Sequence, residues 1–71
     1  MDELLELATQ LVIAAQYVTP LMLERKMKIK RADALWLIDQ LEANGTISAP
    51  ITRADGTSYR DVLVDLKGKH R

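Results

Sequence analysis

Between Arg25 and Arg31 the chain reads RKMKIKR, five positive charges in seven positions. Lysine and arginine at that density suit the neutralisation of phosphate oxygens, a salt-dependent contact that carries no base information. Nothing comparable is available for catalysis. The chain has no cysteine, which removes a disulfide framework and a thiolate metal site. Its single histidine, His70, removes a His-pair metal site and a His-dependent triad. No Gly-rich phosphate loop and no nucleophile–base pair is present. Asp39 with Glu42, and Asp2 with Glu6, fall at helical spacing and read as solvated faces. Thr19, Thr52 and Ser58 fit cap, strand and turn roles. The chain is expected not to be an enzyme and to need no metal, no cofactor and no small-molecule substrate.

The remaining charges are segregated around that basic run. Lysine plus arginine and aspartate plus glutamate both number 10, a formal net charge of zero. Residues 1–24 carry Asp2, Glu3, Glu6 and Glu24 with no basic residue, and residues 32–66 set six acids against Arg53 and Arg60. The tail KGKHR is basic again. Such segregation creates a local positive field without a basic isoelectric point.

The elements that must hold these charges follow from hydrophobic period. Leu4, Leu7, Ala8, Leu11, Val12 and Ala15 recur at helical spacing and predict a first helix over residues 3–16, with Asp2 as cap and Leu5 beside the stripe. Tyr17 and Val18 are strand-prone and interrupt the pattern. Thr19-Pro20 restarts a helix, Thr as N-cap and Pro at the first helical position, running to about Met27. Lys28-Ile29-Lys30 is the connector, with Ile29 as its apolar plug. A third helix runs from about Arg31 to Ala43, and Gly45 supplies the left-handed position after it. At about 100° per residue, Leu37, Ile38 and Leu41 cluster around Ala34, while Ala32, Trp36, Asp39 and Ala43 land opposite. Thr46–Ala49 then alternates, Asp55-Gly56 marks a tight turn, and Tyr59–Leu66 alternates again, with Val62, Val64 and Leu66 sharing a face.

Three helices followed by a β-hairpin, with a short strand between the first two helices, is the order of an α+β winged helix. Its helix-turn-helix would be residues 20–27 and 31–43. At 71 residues and 48% hydrophobic composition the chain makes one small domain with a real core. The winged helix is expected over 1–66, followed by a flexible basic tail, 67–71. No apolar run approaches membrane-spanning length and no signal-peptide pattern opens the chain, so no membrane partner and a cytoplasmic location are expected.

From DELLELATQLVI through MKIKRADALWLIDQLEANGTIS to DVLV, nearly the whole chain resembles the C-terminal gamma domain of FtsK/SpoIIIE-type DNA translocases. LIDQLEANGTI and RDVLV carry the closest likeness. The resemblance implies a winged helix that reads a short directional sequence in the major groove of double-stranded DNA, follows a motor domain and contacts a recombinase. No motor accompanies these residues, so a free-standing copy would bind rather than pump. The departures fall on the recognition helix. The family's Asn-Arg pair is Ala32-Asp33 here, and its second arginine is Trp36, while its later acid is kept as Asp39. Ala32 donates nothing, Asp33 repels phosphate and accepts only from cytosine, and Trp36 suits a thymine methyl or an unpaired base. The family's target sequence therefore does not carry over.

Two binding surfaces follow. For DNA, the phosphate contacts are assigned to Lys28, Lys30, Arg31 and Arg53, with Trp36 and Gln40 on the base-facing side. Lys67, Lys69 and Arg71 would form a reaching arm. The alternative is a protein partner or homodimer docked on a Trp36-centred face formed by Ala32, Asp33, Leu35, Trp36, Asp39 and Ala43.

Overall fold

The computed structural model describes residues 2–71. Three helices come first, α1 (Asp2–Ala15), α2 (Pro20–Met27) and α3 (Arg31–Ala43), followed by two short strands, β1 (Ile51–Thr52) and β2 (Ser58–Tyr59). The bounds of α2 and α3 are those predicted from the sequence, and the capping signals explain why. Thr19 is extended (φ −141°, ψ 156°), and its Oγ1 accepts the Met22 N–H at 3.0 Å, with Pro20 following it. At the other end of α2, Lys28 takes the left-handed conformation (φ 55°, ψ 48°) and its N–H donates to the Glu24 carbonyl. Gly45, at φ +76°, turns the chain out of α3, and the Thr46 N–H returns to the Leu41 carbonyl at 2.9 Å.

The core is built on one side of α3. Ala34, Leu37, Ile38 and Leu41 are all buried, as the helical wheel requires, against Ala8, Val12, Val18, Met22, Leu23, Ile47 and Val62. Each fully buried leucine or isoleucine contributes on the order of 1.5–3 kcal/mol relative to exposure. Ile29 packs against this cluster from the connector, as expected.

β1 and β2 pair antiparallel, Ile51 with Tyr59 and Thr52 with Ser58. The turn between them closes with Arg53 N–H to Thr57 O at 2.7 Å and Gly56, at φ +89°, to Arg53 O at 3.0 Å. Asp55 Oδ1 accepts the Thr57 hydroxyl at 2.6 Å and the Thr57 N–H at 3.0 Å. Those donors, the hydroxyl first, hold the Asp55 carboxyl below the usual carboxylate range. The turn gains stability above the unfolded carboxylate pKa and loses it as pH falls through the lowered one. Nearer the core, Ile47 and Val62 form an isolated bridge, with Leu63 N–H donating to Thr46 O at 2.8 Å.

Three local expectations are corrected: the strand at Tyr17–Val18, the buried side of α1 and the place of Leu66. No strand pairs at Tyr17–Val18. Gln16 leaves α1 in a left-handed conformation (φ 59°), and its side chain, not a backbone ladder, reaches the C-terminal segment, Nε2 donating to Val64 O at 2.9 Å. The buried side of α1 is rotated toward Leu5: Ala8 and Val12 are enclosed, while Leu7 is 57% exposed and Ala15 is also outside. Leu66 does not join Val62 and Val64 but is 70% exposed, because the chain turns at Asp65. Residues 67–71 turn back toward the preceding segment. Asp65 Oδ1 accepts the Lys67 and Lys69 N–H groups at 2.9 and 3.0 Å, Val64 bridges His70, and Arg71 N–H reaches Leu63 O at 2.8 Å. The Arg71 guanidinium also donates to Gln16 Oε1.

Leu41→Ala is expected to cost about 2–5 kcal/mol by removing a fully enclosed side chain, whereas Leu35→Ala, on the open side of α3, should cost less than about 1 kcal/mol. Urea denaturation of the two variants measures the difference.

Candidate nucleic-acid interface

The connector between α2 and α3 carries its cations outward because of how its backbone turns. Lys28 closes α2 in the left-handed conformation, Ile29 plugs inward, and Lys30 is extended at the N-cap of α3 (φ −76°, ψ 158°). Alternation across the plug leaves both lysines exposed. Arg31 is exposed too, but its Nη1 lies 3.3 Å from Glu24 Oε2, so part of its charge is answered within the fold. Neither Lys28 nor Lys30 has an ion-pair partner among the described residues.

Across α3 stands the hairpin. Arg53, exposed at its tip, lies over the Tyr59 ring with its guanidinium carbon 4.5 Å from the ring centroid. Arg60 reaches back to α3, Nη1 donating to Glu42 Oε1 at 2.6 Å and to the Ser48 carbonyl at 3.2 Å. A shallow groove runs between α2, α3 and the hairpin, lined by Val18, Thr19, Leu35, Ile38, Arg53 and Tyr59 among others.

The open side of α3 is not centred where the sequence reading placed it. Arg31, Ala32, Leu35, Asp39, Glu42 and Ala43 are exposed, whereas Asp33, Trp36 and Gln40 are half-buried. Trp36 packs against the hydrophobic cluster. The outward arc is thus centred near Leu35 and Asp39. It faces the groove and the hairpin, and the indole covers the core from the opposite edge. The connector and hairpin cations expected for phosphate stand on exposed positions, while Trp36 and Gln40 sit partly withdrawn. In the alternative protein-docking set, Ala32, Leu35, Asp39 and Ala43 are open, but Asp33 and Trp36 are not fully so. Arg60 and Tyr59 were not assigned to the site from the sequence, because Arg60 meets Glu42 across 18 residues and Tyr59 meets Arg53 across the hairpin turn, contacts that no local pattern marks.

Two helices joined by a tight turn, the second exposing one arc beside a β-hairpin, define a winged-helix domain. No single helix among the described residues is long and apolar enough to cross a membrane. Residues 1–65 match the family described as the FtsK gamma domain, and the chain belongs to that family. It is 41% identical over 64 residues to a DNA translocase FtsK of Clostridium acetobutylicum, an alignment covering 90% of this chain and 8% of the relative. It is 33% identical over 63 residues to a DNA translocase FtsK of Sporosarcina ureae, covering 89% and 8%. The chain therefore spans less than a tenth of the length of either relative. No solved structure matches it.

Because the indole covers the core, Trp36→Ala is expected to lower stability by about 2 kcal/mol, less than a fully buried tryptophan costs. Thermal unfolding checks this. An indole standing clear of the fold would leave stability within about 0.5 kcal/mol of the parent.

Proposed function

We propose that the chain binds duplex DNA through its helix-turn-helix, gripping phosphates with Lys28, Lys30 and Arg53 and reading bases only weakly. The observation that carries this is the pair of exposed lysines on either side of the Ile29 plug, at the turn that leads into the exposed arc of α3. Arg53, across the groove, supplies a cation from the hairpin side. Arg31 serves as a weaker fourth contact because Glu24 competes for it. The names of the relatives, DNA translocases, are consistent with the same ligand.

Base readout differs from what the resemblance implies. The arc turned outward offers Ala32 and Leu35, whose methyl groups suit a thymine methyl, and Asp39, which accepts only from cytosine. Trp36 and Gln40 lie toward the edge of that arc and contribute at its margin. Asp39 and Glu42 repel phosphate, so binding is expected in the range of roughly 10⁻⁴ to 10⁻⁶ M at physiological salt. A protein surface anchored on Trp36 finds less support, since the indole is already engaged with the core.

With four phosphate contacts, log K should fall with log salt at a slope of roughly −3.6. Lys28→Gly keeps the left-handed turn while removing its charge. Combined with Lys30→Ala, it should weaken binding on every duplex tested and reduce the slope by about 1.8. Fluorescence anisotropy with a labelled duplex at several salt concentrations reads both. An unchanged affinity in the double variant would refute the assignment.

A further inference from the structure

Leu7 stands on α1 as a ridge between two unlike surfaces. On one side Leu4, Leu11 and Met27 form a shallow apolar groove that Lys26 of α2 closes. On the other, Glu3, Glu6 and Gln10 line a polar shelf. The helical period does not require an exposed leucine here, since Ala8, Val12 and Leu5 already supply the inward side. Glu3, Glu6 and Lys26 are exposed, and none has an ion-pair partner among the described residues. An apolar ridge with an acidic flank and a basic flank is complementary to itself after a twofold rotation. Leu7 enters the partner's groove while Lys26 of each copy meets the acids of the other.

We propose that this face of α1 and α2 binds a second copy of the chain as an isologous dimer. Charge selects the occupant. A generic apolar partner would have no need of opposite charges on the two flanks, whereas a second copy supplies both with the correct signs. The residues of this contact include none of the turn lysines and none of the outward arc of α3, so the proposal does not rest on the DNA-binding reading.

The test is run without DNA on the whole chain: sedimentation equilibrium from micromolar to about 1 mM, the weak end of specific association. The parent should move from the 8.0 kDa monomer toward twice that mass as concentration rises. Leu7→Glu should raise the dimer dissociation constant at least about 30-fold, as loss of a central anchor does, with circular dichroism unchanged. The sharper arm uses charge. Lys26→Glu and the pair Glu3→Lys, Glu6→Lys each place like charges opposite one another and should not self-associate. Mixed together they should form a heterodimer, because every flank then meets its opposite. A parent that stays monomeric throughout, a dimer that Leu7→Glu leaves intact, or two charge variants that fail to associate on mixing would each overturn the proposal. So would a dimer disrupted by Leu35→Glu but not by Leu7→Glu.

Discussion

Ala34, Leu37, Ile38 and Leu41 commit one side of α3 to the hydrophobic cluster, and that commitment decides what every neighbouring element can do. A helix with four positions enclosed can offer only the opposite arc, and the three half-buried residues along one edge narrow that arc further. α2 and the Ile47–Val62 bridge close around the same side, which leaves the hairpin no place but beside α3. The exposed lysines of the turn are a by-product of this packing, since Ile29 must point inward to complete it.

Much of this architecture was legible in the chain. Thr19-Pro20 and Gly45 are local signals whose geometry is fixed by single residues, so α2 and α3 begin and end where those residues dictate. The stripe around Ala34 was equally plain, because four large or small apolar side chains at helical spacing have one side in common. The α1 stripe was less so. Leu5 and Leu7 are chemically alike and lie on opposite margins of it, and only the position of the other helices determines which one is covered.

The same reasoning explains what was missed around the site. Trp36 sits about 160° from Ile38 on the wheel, yet a large indole can lean along the helix surface and reach the core from the edge. Gln16 was a mid-chain polar residue with no motif around it, but its left-handed backbone and two-sided amide tie α1 to the C-terminal segment. A basic tail reads as loose by composition, yet the Asp65 carboxylate accepts from the backbone N–H groups of Lys67 and Lys69 and turns the chain back. Contacts between residues this far apart in sequence depend on the finished fold.

The Arg60–Glu42 pair is a point of the fold that ionic strength reaches only weakly. Arg60 is mostly enclosed and fastens the base of the hairpin to α3 through Glu42. A polyanion meeting that frame does not have to order the hairpin itself, which lowers the entropic cost of association. Dissolved salt screens this partly enclosed pair much less than it screens the outward cations. Raised salt therefore reaches the exposed lysines of the turn well before it reaches this frame.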